Sequence, residues 1–227
     1  MDGNGRWAQQ RGLMARLKGH EAGAESVRAV LRACDKLDVR YLTLFAFSTE
    51  NWKRPKDEVD GLMRLLTRFL DDNERELLEK NIRLRTIGRI DDLPGHTRSA
   101  LDRVMDRSRG NTKLDLILAL SYGARQELVE AVRAIASRAQ RGELEPATIT
   151  EETFRSHLYA PDVPDPDLLV RTSGELRISN FLLWQISYSE LYVTPVLWPD
   201  FREADLYDAV IAFQQRSRRF GDIQPQA

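Results

Sequence analysis

The chain has 227 residues, with 34 Lys and Arg against 35 Asp and Glu and a formal net charge of -1. That balance argues against holding nucleic acid through bulk charge, which calls for a basic excess, and no nucleic-acid partner is expected. One cysteine, Cys34, and three histidines exclude a disulfide framework and a Cys/His zinc cluster, and 42% hydrophobic with 30% charged residues suits a folded, soluble protein. The first twenty residues are polar and Gly-rich, unlike a secretory leader, and no apolar run approaches a membrane span. The expected compartment is the cytoplasm.

In chain order, the first element is a helix over 21–37, with Val27, Val30, Leu31 and Cys34 at helical spacing. Residues 41–47 (YLTLFAF) are a short apolar run and predict a buried strand. A long helix follows over about 58–80, marked by Leu62, Met63, Leu65, Leu66, Phe69 and Leu70. Residues 82–87 (IRLRTI) alternate and predict a second strand, ending at Gly88. Residues 97–108 carry a weaker helical pattern. Residues 114–120 (LDLILAL) predict a third strand, ending near Tyr122 and Gly123, and 124–140 a further helix. Residues 160–167 (APDVPDPD) predict a Pro-rich loop. Strands are expected at 168–171 and 190–197, the latter broken by Pro195. A last helix opens with Asp200 and Glu203, which suit a capping arrangement. The tail after Gly221 is expected to fray.

Strands alternating with helices predict an α/β fold: one domain over 1–227, with a mostly parallel central sheet flanked by helices. In open parallel sheets ligands bind beyond the carboxyl ends of the strands. Ser48-Thr49-Glu50-Asn51-Trp52-Lys53-Arg54 follows the first strand, Ser121-Tyr122-Gly123 the third, and Thr172-Ser173-Gly174-Glu175 the fourth. Asp2-Gly3-Asn4-Gly5-Arg6 combines a carboxylate with two glycines, letting backbone N–H groups approach an anion. It is neither a Walker loop nor the GxGxxG fingerprint. Arg6, Arg16, Arg54, Arg171 and Arg177 fall in or near these segments, and a guanidinium fork matches phosphate oxygens. Together with glycine, hydroxyl and carboxylate groups they point to a diphosphate-sized anion. No GxSxG elbow is present, which disfavours acyl hydrolysis.

MDGNGRWA at 1–8, RLKGH at 16–20, FSTENWKRP at 47–55, RTSGELRISNFLLWQ at 171–185, SELY at 189–192 and LWPDF at 197–201 resemble the signature segments of the cis-prenyltransferases. The resemblance covers essentially the whole chain and is strongest to the bacterial branch that makes undecaprenyl diphosphate, the lipid carrier precursor of cell-wall synthesis. It implies a transferase that adds isopentenyl diphosphate repeatedly, in cis, to farnesyl diphosphate. Asp2 is then expected to bind Mg2+ and assist departure of the allylic diphosphate. Gly3, Asn4, Gly5, Arg6, Arg16 and His20 are expected to hold that diphosphate, with Trp7 beside the substrate. Ser48, Thr49 and Glu50 form the next wall, followed by Asn51, the family's proposed proton acceptor, with Trp52 and Arg54. A neutral amide is a poor base, so a diphosphate oxygen or a bridging water is the alternative acceptor.

By the same resemblance Arg171, Arg177, Ile178 and Ser179 are expected to hold isopentenyl diphosphate. Glu190 supplies a second Mg2+ contact, which in the family can come across a homodimer interface. An apolar tunnel is expected for the growing chain, lined by Leu62, Met63, Leu66 and Phe69 with Ala46, and floored near Leu114. The insoluble product implies peripheral contact with the inner membrane face. Family members carry a strand before the DGNG segment, whereas Met1 directly precedes Asp2 here, so the sheet is expected to lack a strand and the Mg2+ carboxylate to sit at a terminus. The rival readings are a cis-prenyltransferase of shorter or longer product, a non-catalytic subunit of the same fold, and a generic nucleotide-binding protein.

Overall fold

A computed structural model describes residues 1–13 and 16–216. The expectation for the tail after Gly221 lies outside them. The described elements are α1 (Asn4–Gln10), α2 (Arg16–Lys36), β1 (Tyr41–Ser48), α3 (Lys56–Glu79), β2 (Ile82–Ile87), α4 (Gly95–Ser108), β3 (Leu114–Tyr122), α5 (Ala124–Gln140), α6 (Glu151–Arg155), β4 (Leu168–Arg171), β5 (Glu190–Val193) and α7 (Glu203–Gln214). They fall into two compact units. One comprises residues 38–164 and 178–183 with Met1; the other comprises 2–37, 165–177 and the residues from 184 onward.

The first unit is built on a parallel sheet of order β1-β3-β2. β3 is central, and all nine of its residues are buried. A strand covered on both faces reads as a continuous apolar run, which is why LDLILAL carries no alternation. Asp115 interrupts that run and is matched across the ladder: it lies in register with Arg83 and takes the guanidinium groups of Arg83 and Arg85. The β1–β3 register slips between Phe45 and Phe47, leaving Ala46 as an extra residue just before the end of the strand. Such a bulge re-aims the side chains that follow it. α3 starts after Pro55 with Asp57 and Glu58 in its first turn, where carboxylates complement the helix dipole. Its core stripe of Val59, Met63, Leu70 and Leu77 has helical spacing.

The second unit pairs β4 with β5, also in parallel. The five predicted strands therefore hydrogen-bond as a three-stranded and a two-stranded sheet, not as one. The last strand stops at Val193, short of Pro195, which has no N–H for a ladder. α1 packs on α2 at Gly19 and Gly23. A Cβ on Gly19 would lie 1.9 Å from the Asn4 carbonyl oxygen, so only glycine permits this approach. Trp198 packs on α2 beside α1, donating through Nε1 to the Gly23 carbonyl at 3.0 Å and accepting from Ser26 Oγ at its own carbonyl at 2.7 Å. The cap expected from Asp200 and Glu203 is supplied by Asp205 instead, whose carboxylate accepts the Arg202 N–H at 2.8 Å. Asp200 is engaged by Trp7 Nε1 at 2.7 Å and Glu203 by Arg32 at 2.7 Å.

Candidate active site

The polar clusters that follow the strands fall partly in each unit. In the second unit the cluster forms around Asp2 and the end of β4. One Asp2 carboxylate oxygen accepts the Gly3 N–H at 2.7 Å, and the other accepts Arg171 Nη2 at 2.8 Å. The Asp2 N–H donates to Thr172 Oγ1 at 3.0 Å, and that hydroxyl donates back to the Asp2 carbonyl at 3.1 Å. Asp2 is thus pinned through both backbone and side chain, although it adjoins the first residue. Gly3 has φ of 101°, and a Cβ there would fall 2.8 Å from Ser173 Oγ. Arg6 donates to the Ser173 carbonyl at 3.2 Å and pairs with Glu175 at 3.2 Å. Two buried polar atoms in this cluster lack a protein partner: Arg171 Nε and Ser173 Oγ. Buried donors are ordinarily satisfied, so both are available to an anion.

Trp7 lies under the Arg11 guanidinium, 4.1 Å from its ring centroid. Gly5 lies beside the Arg16 side chain, which has ordinary van der Waals room there. Asn4 is buried on the α2 side and His20 half-buried on α2. Arg177 pairs with Glu175 and is exposed. Glu190 opens β5 and is paired with Arg216 at 2.6 Å.

In the first unit the cluster lies beyond β1 and β3. A 3-10 turn over Thr49–Lys53 follows β1 directly. Asn51 Oδ1 accepts the Ser48 N–H at 3.1 Å. A backbone N–H can only donate, so this bond fixes the amide orientation and leaves the Asn51 NH2 as the available end. Burial alone would raise the Glu50 carboxyl, but hydrogen bonds from its own N–H, Ser48, Asn180 and Thr49 outweigh it and hold the group below the usual range. Trp52 Nε1 donates to Ser121 Oγ at 2.9 Å, and that hydroxyl donates to Asp92 at 3.1 Å. Ser121 has φ of 46°, and Arg54 pairs with Glu58 at 3.1 Å. Ile178 and Ser179 lie in this unit on a short segment that also holds Asn180 and Phe181. Of the expected tunnel residues, Met63, Phe69 and Leu114 are buried, while Ala46, Leu62 and Leu66 are half-buried.

The undecaprenyl diphosphate synthase family model matches residues 1–221. The chain belongs to this family. It is 52% identical over 224 residues to an isoprenyl transferase of Heliobacterium mobile, covering 99% of this chain and 86% of that one. It is 50% identical over 223 residues to the Micrococcus luteus ditrans,polycis-undecaprenyl-diphosphate synthase ((2E,6E)-farnesyl-diphosphate specific), covering 98% and 89%. Among solved structures it resembles lavandulyl diphosphate synthase from Lavandula x intermedia in complex with dimethylallyl diphosphate, with a TM-score of 0.95 and 39% identity over 98% of this chain and 95% of that one. The α/β class with a parallel sheet flanked by helices is the class of that structure, and the chain is a prenyltransferase by family.

Within this prenyltransferase the sequence reading passed over Thr172, Ser173 and Asn180 as site residues. Their signal was local to the segments already singled out, but their partners are 54 to 170 positions away. No helix among the described residues is long and apolar enough to cross a membrane.

Proposed function

We propose that this chain extends farnesyl diphosphate by repeated cis addition of isopentenyl diphosphate, giving undecaprenyl diphosphate. The observation that carries the reading is the Asp2–Gly3–Arg171–Ser173 cluster: a carboxylate beside a glycine backbone, with a buried guanidinium N–H and a hydroxyl left for an anion. Gly3, Asn4, Gly5, Arg6, Arg16 and His20 serve the allylic diphosphate, with Trp7 beside it. Arg171, Arg177, Ile178 and Ser179 serve isopentenyl diphosphate. Arg6 and Arg16 oppose the negative charge that grows on the leaving allylic diphosphate oxygens, where preorganised cations act most strongly.

Mg2+ fits this site as a cofactor. Among the described residues no three His, Cys, Asp or Glu gather as a ligand cluster. The Asp2 carboxylate in the anion cluster suits an ion taking one or two carboxylates plus substrate oxygens and water, with Asp2 as the protein ligand. Bound there, Mg2+ supplies charge neutralisation on the diphosphate. Glu190, paired with Arg216, gives a second contact only when that pair opens. Such a contact goes with a homodimer, as the family resemblance suggests.

Asn51 orients rather than deprotonates. Its carbonyl oxygen is occupied by the Ser48 N–H, and its NH2 donates toward the substrate. The proton then goes to a diphosphate oxygen or to water. Leu62 and Leu66 are apolar yet only half-buried, which supports a wall for the growing chain, and buried Met63, Phe69 and Leu114 back it. A water-insoluble product favours work in the cytoplasm at the membrane face.

The test uses radiolabelled isopentenyl diphosphate with farnesyl diphosphate and Mg2+, followed by dephosphorylation and sizing of the lipids. A ladder ending at the undecaprenyl length is expected. A ladder that stops short of that length would decide for the second reading, a synthase of shorter product.

A further inference from the structure

Ser179, Asn180 and Leu182 have φ of 58°, 64° and 47°. Side chains rarely occupy this left-handed region. Strained non-glycine residues persist only where their surroundings over-determine them, and they gather at functional sites. Asn180 is over-determined. Its backbone carbonyl accepts the Ala124 N–H at 2.9 Å, and its Oδ1 accepts the Arg125 N–H at 2.9 Å. These are two of the donors that the first turn of α5 leaves open. Its NH2 donates to Glu50 at 3.1 Å and to Gln126 at 3.2 Å. Gly123 is shaped to this side chain, since a Cβ there would lie 2.7 Å from Asn180 Nδ2. Two residues on, the Leu182 N–H meets the Tyr122 hydroxyl, which donates to buried Glu127 at 2.6 Å.

We propose that Asn180 is a positioning residue for the isopentenyl diphosphate site. It clamps the strained segment between the start of α5 and the Glu50 loop, and so sets the backbone that presents Ile178 and Ser179. The inference rests on the assignment of those two residues under the proposed function. The chemistry demands an asparagine. One end must accept from a backbone N–H, and the other must donate to oxygens, one of them on an ionised carboxylate. Aspartate sets two carboxylates against each other, and alanine leaves the α5 donor open.

The test measures steady-state kinetics with each substrate varied in turn, plus direct calorimetric binding of isopentenyl diphosphate. Asn180→Ala is expected to raise KM for isopentenyl diphosphate about tenfold, because small misplacements of a binding segment are costly, with KM for farnesyl diphosphate and kcat little changed. Asn180→Asp is expected to share the defect. Glu50→Gln combined with Asn180→Asp rebuilds the bond with donor and acceptor exchanged, so the double variant should bind isopentenyl diphosphate better than Asn180→Asp alone. A double-mutant cycle removes the separate effect of Glu50. If Asn180→Ala fails to fold, the exchange pair still decides. An unchanged KM, an equal rise for both substrates, or no coupling in the cycle overturns the proposal. A wild-type protein silent with both substrates overturns the proposed function instead.

Discussion

Arg171 and Asp2 are 169 positions apart in sequence and bonded at 2.8 Å. The bond brings the end of β4 to the turn that opens α1, and Thr172 reinforces it through the Asp2 backbone. The carboxylate therefore has a defined orientation before any ligand arrives. Asp2→Asn keeps an oxygen for the Gly3 N–H but removes the charge that pairs with Arg171 and would hold a cation. We expect kcat to fall by about 10²-fold or more, with an unchanged circular dichroism spectrum. Arg171→Lys keeps the charge but loses the planar fork, so its loss should be smaller yet clear. Initial rates at saturating substrates check both.

Asn51 separates two roles that resemblance alone leaves open. If its amide oxygen took the proton, Asn51→Asp would supply a better base and keep or raise turnover. The oxygen is committed to the Ser48 N–H, so aspartate preserves that bond and loses only the NH2 donor. Turnover of Asn51→Asp should fall about as far as that of Asn51→Ala, on the order of 10²-fold for one lost preorganised donor. An aspartate variant faster than alanine by a wide margin would return the proton to this side chain.

Much of the first unit was legible because its signals are local. The β3 run is continuous because both of its faces are covered, and the α3 stripe has the spacing of a buried helix face. What escaped depends on partners far along the chain. Asp200 and Glu203 look like helix caps, but Trp7 lies 193 positions from the first and Arg32 lies 171 from the second. The bulge at Ala46 comes from β1–β3 register, which no single strand records. Of the candidate site, the segments were visible as motifs; the Asp2–Arg171 bond and the Asn180 clamp are tertiary.

Gly19 and Gly5 make a paired stability test. An alanine Cβ at Gly19 would meet the Asn4 carbonyl at 1.9 Å, a backbone atom that can move only if α1 moves. Gly19→Ala should cost about 1–3 kcal/mol, the range for overpacking, and lower the melting midpoint by several degrees. At Gly5 the nearest atoms to a new Cβ lie at 3.7 Å on the flexible Arg16 side chain. Gly5→Ala should leave stability unchanged or raise it by up to about 1 kcal/mol through helix propensity. Thermal melting followed by circular dichroism distinguishes them.

Cys34 is the one thiol and sits in the buried face of α2. Burial pushes it up to about 12. The thiolate is the reactive form, so the native protein should resist thiol reagents at neutral pH. Labelling should appear in step with unfolding as denaturant is raised. Rapid labelling without denaturant would mean that α2 opens locally, contrary to this packing.

Arg32 links α2 to α7, bonding Glu203 at 2.7 Å and Glu25 at 3.2 Å. The Arg32 hydrogen bond lowers the Glu203 carboxyl below its ordinary 4.5. For Glu25, burial acts to raise it, and the hydrogen bonds of Arg32 and Arg28 outweigh that to lower it. A carboxyl lowered by folding stabilises the native state above its unfolded value and loses that contribution as pH falls through the folded one. The window therefore opens near pH 4.5 and runs downward. Both carboxyls are half-buried at the surface, so solvent screening keeps the contribution within about 1 kcal/mol. Arg32→Met should melt slightly below wild type at pH 7, and the gap should narrow below pH 4, where the carboxyls protonate in both proteins. Salt should narrow it at pH 7 as well, because the charges remain in contact with solvent. A gap that persists undiminished in acid would instead assign the role of Arg32 to the packing of its aliphatic stem.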